Sequence, residues 1–218
     1  MTVSTSMRGV LPRGTQAAWQ EVVELRPAPA YLVGATAIAA HLHHRLSKDL
    51  DFFLSEPVDM DSLYDRLQAT GHFVASQVAA GKINGVLSEA RVQFLLADTQ
   101  RNTEALTIVD GIPIAGLGDL LATKLKVVMD RGELRDYFDI MTIEKRTPLT
   151  AEEGLGIFLE RYRPKVPDDA LTVIVRALGS LGDVQDDPAL PVKRSTIEKY
   201  WAKRQRDLVA CVDRGGFS

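Results

Sequence analysis

Residues 34–53 read GATAIAAHLHHRLSKDLDFF, and the fold is decided within this stretch. A short apolar run, Tyr31 to Val33, leads into Gly34 as a strand would. From Ala35 the apolar residues Ala35, Ile38, Ala39, Leu42 and Leu46 recur at helical spacing, which predicts a helix to about Arg45. Lys48 to Leu54 then reads as a strand, and a period of two places Asp49 and Asp51 on one face of the sheet. A strand that enters a glycine and continues as a helix makes an anion site. The missing Cβ lets a phosphate approach the backbone, and the first N–H groups of the helix have no partners within it. Two carboxylates on one face are costly unless a cation sits between them. Mg2+ is the natural cation, because it binds through one or two carboxylates together with substrate phosphates.

Upstream, Thr15 to Arg26 reads as a helix that stops at Pro27 and Pro29. Downstream, a helix is predicted at Asp61 to Thr70. Strands follow at His72 to Ala79, Ile83 to Leu87, Arg91 to Ala97 and Leu106 to Val109, punctuated by Gly81, Gly85 and Asp110-Gly111. From Leu117 the pattern is helical throughout, with helices predicted at Leu117 to Asp130, Glu133 to Lys145, Ala151 to Arg161, Asp168 to Leu181 and Thr196 to Val212. The fold class is therefore α/β. A mixed sheet with helices occupies residues 1–115, and a helical bundle occupies 116–218, with the active site expected in the cleft between them.

Composition narrows the function. Of 218 residues 45% are hydrophobic and 25% charged, which suits a globular core, and a formal charge of -3 excludes a uniformly basic nucleic-acid coat. No apolar run reaches the roughly 18–20 residues that span a bilayer, and Met1 to Gly14 lacks the apolar core of a signal peptide, so no membrane partner and a cytoplasmic location are expected. Cys211 is the single cysteine, which excludes an intramolecular disulfide and a thiolate-rich zinc site; it reads as a buried thiol.

A second block, residues 120–140, reads LLATKLKVVMDRGELRDYFDI. Lys124 falls within the apolar stripe of Leu117, Leu120, Leu121, Leu125 and Val128, and Arg131 lies close to the same line. An inward lysine needs an anion, either a triphosphate held with Arg131 or a core carboxylate. Asp136 and Asp139 share a helix face, for salt bridges with Arg131 or Arg135 or for a direct role in the site. His41 and His44 share a face with no cysteine or carboxylate to complete a zinc set, so solvated-face histidines are expected, with His44 set apart by its neighbour Arg45. Residues 193–206, KRSTIEKYWAKRQR, offer Lys199, Lys203 and Arg206 to RNA phosphates. There Tyr200 and Trp201 either stack on bases or enter the core. Arg161, Arg163 and Lys165 are the alternative basic site.

Gly34-Ala35-Thr36, followed by His44-Arg45-x-Ser47-x-Asp49-x-Asp51-Phe52-Phe53, resembles the signature of the AbiEii/AbiGii nucleotidyltransferase toxins, of the DNA polymerase β-like superfamily. The block at 120–140 resembles that family's later motif. The resemblance implies a toxin of a bacterial toxin–antitoxin system. Such a toxin would transfer nucleotides from a nucleoside triphosphate to the 3′ end of an RNA, a tRNA above all, and would have an antitoxin partner. It also implies metal binding by Asp49 and Asp51, with Lys124 and Asp136 as further catalytic residues. Nucleotide binding would fall to Gly34, Thr36, Arg45, Ser47, Lys124 and Arg131. The superfamily's third carboxylate belongs on the strand beside Asp49 and Asp51, where this chain has Gln93; Asp98, Asp136 or Asp139 is left to complete the metal shell.

Ser47 precedes Asp49 by two residues, so its hydroxyl is expected to face a phosphate, and phosphorylation there would repel the triphosphate. Two alternatives remain: a nucleotide-binding regulator without catalysis, favoured by Gln93, and a metal-dependent sugar-nucleotide transferase, which the upstream Gly34 turn fits less well.

Overall fold

The computed structural model describes residue 7 and residues 9–215; of the N-terminal stretch read for a signal peptide, residues 1–6 and 8 lie outside the described residues. The first unit contains, in order, α1 (Arg13–Leu25), β1 (Ala30–Val33), α2 (Gly34–Leu42), β2 (Asp49–Leu54), α3 (Met60–Gln68), β3 (Phe73–Ala79), β4 (Lys82–Leu87), β5 (Ala90–Leu96), β6 (Thr107–Val109) and β7 (Ile112–Ile114). The second contains α4 (Leu117–Arg131), α5 (Leu134–Arg146), α6 (Ala151–Tyr162), α7 (Pro167–Gly179) and α8 (Arg194–Asp213). Among the described residues these are eight helices and a seven-stranded mixed sheet.

The sheet order is β3-β4-β5-β2-β1-β7-β6. Its centre follows from the alternation in β2: Leu50, Phe52 and Leu54 are fully buried while Asp49, Asp51 and Phe53 are half-buried on the other face. Phe52 stacks on Phe94 of the parallel strand β5, with ring centroids 5.1 Å apart, and Leu63 and Leu67 of α3 are buried as well. Each such side chain contributes about 1.5–3 kcal/mol through burial. This core fixes which face of β2 is left to the carboxylates.

Two boundaries differ from the sequence reading. The helix expected to run to Arg45 stops at Leu42, because His43 adopts a left-handed conformation (φ 47°) and donates its N–H to Ala39. Strand β7 was hidden by Pro113, which has no N–H for a ladder. The strand survives because Asp110 and Gly111 both take positive φ in a two-residue hairpin turn to β6, while β7 meets β1 only at Leu32–Ile114.

In the helical unit Gly154 lets α6 approach α4; a Cβ there would lie 2.6 Å from Leu121 Cγ. Arg101–Glu104 packs with this unit rather than with the sheet. The Asp119 carboxylate accepts from the backbone N–H groups of Thr103 and Glu104 and pairs with Arg161 at 3.2 Å, both side chains fully buried. Arg161 also donates to Asn102 Oδ1 at 2.7 Å, so it is a structural cation and not the alternative RNA contact. No helix of the described residues is long and apolar enough to cross a membrane.

Candidate active site

Strand register builds the site. β1 and β2 run antiparallel with Val33 opposite Asp51, which brings that carboxylate beside the point where β1 becomes α2. Gly34, at that junction, has φ of +72°, and a Cβ on it would lie 2.8 Å from Asp51 Oδ2, so only glycine fits. The N-terminus of α2 has no side-chain cap, which leaves its first N–H groups for an anion. Thr36 Oγ1 lies 2.7 Å from Ser47 Oγ and 2.5 Å from the Asp49 carbonyl oxygen, tying the helix to the segment entering β2. Ser47 is therefore buried, with its hydroxyl hydrogen-bonded to Thr36. Arg45 donates to the Leu46 carbonyl at 3.2 Å and so anchors the loop.

Asp49 Oδ1 is buried with no hydrogen-bond partner. An orphaned buried acceptor costs about 1–3 kcal/mol, which a bound cation would relieve. Two adjacent carboxylates beside an uncapped helix N-terminus fit magnesium, which takes its remaining ligands from water and substrate phosphates. Among the described residues no three His, Cys, Asp or Glu side chains gather to hold a metal. Asp98 sits exposed beyond the end of β5 and does not complete a shell.

Gln93 stands where a third acid was sought, directly opposite Asp51 in the parallel pairing of β2 with β5. Its Nε2 donates to Asn84 Oδ1 at 2.7 Å, and Asn84 Nδ2 donates to Gln77 Oε1 at 3.1 Å. The carboxylate of Asp51 thus continues across β5, β4 and β3 as a row of amides. Nothing in the residue order alone exposes this row, because it depends on the register of three strand pairs.

In the helical unit, the inward lysine has its anions already. Lys124 Nζ lies 2.6 Å from Asp136 Oδ1 and 2.9 Å from Asp139 Oδ2, and all three residues are buried. Burial pushes the Lys124 ammonium down, but the charges of Asp139 and Asp136 and their hydrogen bonds outweigh it and hold its pKa above the usual value. The partner of these aspartates is Lys124, not Arg131 or Arg135; those arginines pair with Glu133. Asp136 also accepts from the Glu133 backbone N–H at 3.0 Å in a capping box. With both oxygens engaged it positions α5. Arg131 is exposed at the end of α4.

Trp201 is fully buried and donates to the Tyr137 carbonyl, while Tyr200 donates to Glu144 at 2.7 Å, so these aromatics belong to the fold and not to base stacking. Lys199, Lys203 and Arg206 remain exposed on α8, one turn apart. His41 is half-buried and bonds the Ala115 carbonyl oxygen at 2.9 Å, so it is not on a solvated face, and His44, set apart in the sequence, is buried. Cys211 is buried, as expected.

Residues 24–108, which contain β1, α2 and β2, match the family model described as "Nucleotidyl transferase AbiEii toxin, Type IV TA system". Over these residues the chain is similar to that family. The matched segment holds Gly34, Ser47, Asp49, Asp51 and the amide row. An uncharacterized protein of Aquifex aeolicus is 24% identical over 179 residues, spanning 78% of this chain and 80% of that protein. Among solved structures, JHP933 of Helicobacter pylori is similar with a TM-score of 0.60 at 17% identity, covering 98% of this chain and 97% of its own. MenT4, a nucleotidyltransferase toxin of Mycobacterium tuberculosis H37Rv, gives 0.55 at 15% identity, covering 92% and 85%. The chain has the nucleotidyltransferase fold.

Proposed function

We propose that this AbiEii-type chain is a nucleotidyltransferase that moves a nucleotide from a nucleoside triphosphate to the 3′-hydroxyl of an RNA, a tRNA in the first instance, and so blocks translation. The observation that carries this reading is the Asp49–Asp51 pair set against the uncapped N-terminus of α2, with Asp49 Oδ1 buried and without a partner. The hydroxyl oxygen forms a bond to the α-phosphorus, the bond from that phosphorus to the α–β bridging oxygen breaks, pyrophosphate leaves, and the hydroxyl proton passes to water. Asp49 and Asp51 would hold magnesium, which when bound offsets the phosphate charge and lowers the pKa of the attacking hydroxyl. Gly34 lets the phosphates reach the α2 N–H groups, and Thr36, tethered to Ser47 and Asp49, fixes their position. In the helical unit, exposed Arg131 and the third N–H of Lys124 are the proposed phosphate donors, and Lys199, Lys203 and Arg206 contact the RNA backbone.

The family's type IV toxin–antitoxin description motivates two further parts of the proposal, a cognate antitoxin and a cytoplasmic site of action. A nucleotide-binding regulator is the second reading, favoured by Gln93 in place of an acid. Incubation with total RNA and each labelled nucleoside triphosphate, with and without magnesium, separates the two. Magnesium-dependent incorporation with pyrophosphate release is the expected result, and nucleotide binding without release would move the chain to the regulator class.

A further inference from the structure

The face of the sheet that carries Asp49 and Asp51 does not end with them. In one row Asp51 is opposite Gln93, Gln93 opposite Asn84 and Asn84 opposite Gln77; in the next, Asp49 is opposite Arg91, Arg91 opposite Val86 and Val86 opposite Val74. At about 4.8 Å per strand each row reaches about 14 Å from its aspartate. Arg91 is exposed and its side chain makes no hydrogen bond or ion pair among the described residues, and Val86 and Val74 are exposed at 39% and 69%. A row of amides beside a row made of a cation and apolar side chains is an odd covering for a solvated sheet. It is a good match to a nucleotide, which presents a phosphate, a flat apolar ring and a base edge of mixed donors and acceptors.

Position decides which nucleotide. The sheet order places β1, and with it Gly34 and the start of α2, on one side of β2, and β5, β4 and β3 on the other. In phosphoryl transfer the attacking and leaving oxygens lie roughly in line through the phosphorus. On the reading proposed above, the leaving pyrophosphate rests at Gly34 and α2, so the attacking hydroxyl comes from the side of β5. We propose that the face of β5, β4 and β3 receives the 3′-terminal nucleotide of the acceptor RNA, with Arg91 on its phosphate and the Gln93–Asn84–Gln77 amides reading its base edge.

The amides suit this task because each keeps unused capacity. Gln93 retains one N–H and its carbonyl oxygen, Asn84 retains one N–H, and Gln77 retains both of its N–H groups. The two internal hydrogen bonds fix which atom each amide presents, so a base edge meets a preset pattern of donors and acceptors. Lysines could not do this, because an ammonium reads charge alone. Single-stranded ends are also where RNA bases are open to such edge contacts.

The test is fluorescence anisotropy of the full chain with short labelled single-stranded RNAs identical except for the 3′-terminal base, with no nucleoside triphosphate present. Wild type is expected to prefer one terminal base. Asn84→Ala and Gln77→Ala should each reduce that preference about tenfold, in line with the energy of one good base-edge pair, with the salt dependence unchanged. Arg91→Ala should weaken all four RNAs alike and lower the salt slope by about one unit. Gln77 is exposed on the edge strand, so its variant remains informative even if Asn84→Ala fails to fold. Equal binding of all four ends by wild type, or variants that keep the wild-type preference, overturns the proposal and gives this face to another partner, such as a protein strand on the β3 edge. Base-selective binding by a protein that incorporates no nucleotide would instead refute the transferase reading while leaving the RNA-end site in place.

Discussion

Asp49 and Asp51 stand two apart on a strand, and Asp136 and Asp139 three apart on a helix. The helical pair is neutralised from within its own unit by Lys124, and Asp136 also caps α5. The strand pair is placed beside an uncapped helix N-terminus and leaves Asp49 Oδ1 buried with no partner. Buried polar groups are almost always satisfied, so a carboxylate the fold leaves unsatisfied points to a ligand, whereas a satisfied one points first to stability. The two pairs should respond to mutation in opposite ways.

The largest effect is expected at the strand pair. Asp49→Asn or Asp51→Asn should lower nucleotide incorporation by a factor of 1,000 or more, roughly 4 kcal/mol of transition-state stabilisation, with thermal unfolding unchanged or slightly raised. Near-normal incorporation by either variant would remove the metal assignment. Lys124→Ala should act on the fold as well as on the proposed phosphate contact. It leaves two buried carboxylates without their cation, which costs about 3–5 kcal/mol, measurable by denaturant unfolding. A stability loss below 1 kcal/mol would show that the helical pair is not held as described.

The same contrast has a pH signature. The folded pKa of Lys124 is raised above its ordinary 10.5, so the ammonium contributes stability that is fully present below that value and is lost as pH rises through the folded pKa. Unfolding free energy should therefore fall above pH 10.5, and Lys124→Met should lack that part of the alkaline loss. An identical alkaline profile in the variant would deny the cluster its stabilising role. Smaller again is the expected effect on α8. Replacing Lys199, Lys203 and Arg206 together with Ala should flatten the salt dependence of RNA binding by about one unit per lost phosphate contact, and an unchanged slope would take the RNA backbone away from this helix.

What the sequence made legible follows the same division. The alternation of Lys48 to Leu54 is local, so the shared face of Asp49 and Asp51 was readable, as were the Gly34 turn and most helices of the second unit. The inward direction of Lys124 was readable from the helical period. Its partners were not, because Asp136 lies twelve residues on and meets it only once α4 and α5 pack side by side. Gln93 looked like a missing acid until the register of β2, β5, β4 and β3 tied it to Asn84 and Gln77. Trp201 sits in a basic segment that reads the same whether its aromatics face RNA or the core; only burial, set by the neighbouring helices, distinguishes the two.

The finest test lies between the two hydroxyls that join α2 to β2. Thr36 Oγ1 is within hydrogen-bond distance of both Ser47 Oγ and the Asp49 carbonyl oxygen, and it has a single proton. The carbonyl can only accept, so Thr36 donates there and the Ser47 hydroxyl donates to Thr36. Ser47→Ala removes one of these bonds and leaves Thr36 with a donor role that is still satisfied. Its cost should be about 1 kcal/mol of stability, with incorporation kept within a fewfold of wild type. Ser47→Glu differs in kind: it puts a negative charge two residues before Asp49, at a buried position, and should repel the triphosphate as phosphorylation of Ser47 would. Because Ser47 is buried, a modifying enzyme would first have to open the segment between α2 and β2, which makes regulation at this residue slow unless a partner loosens it. A folded Ser47→Glu protein with full incorporation would end the regulatory reading and leave Ser47 as the tether that seats Thr36.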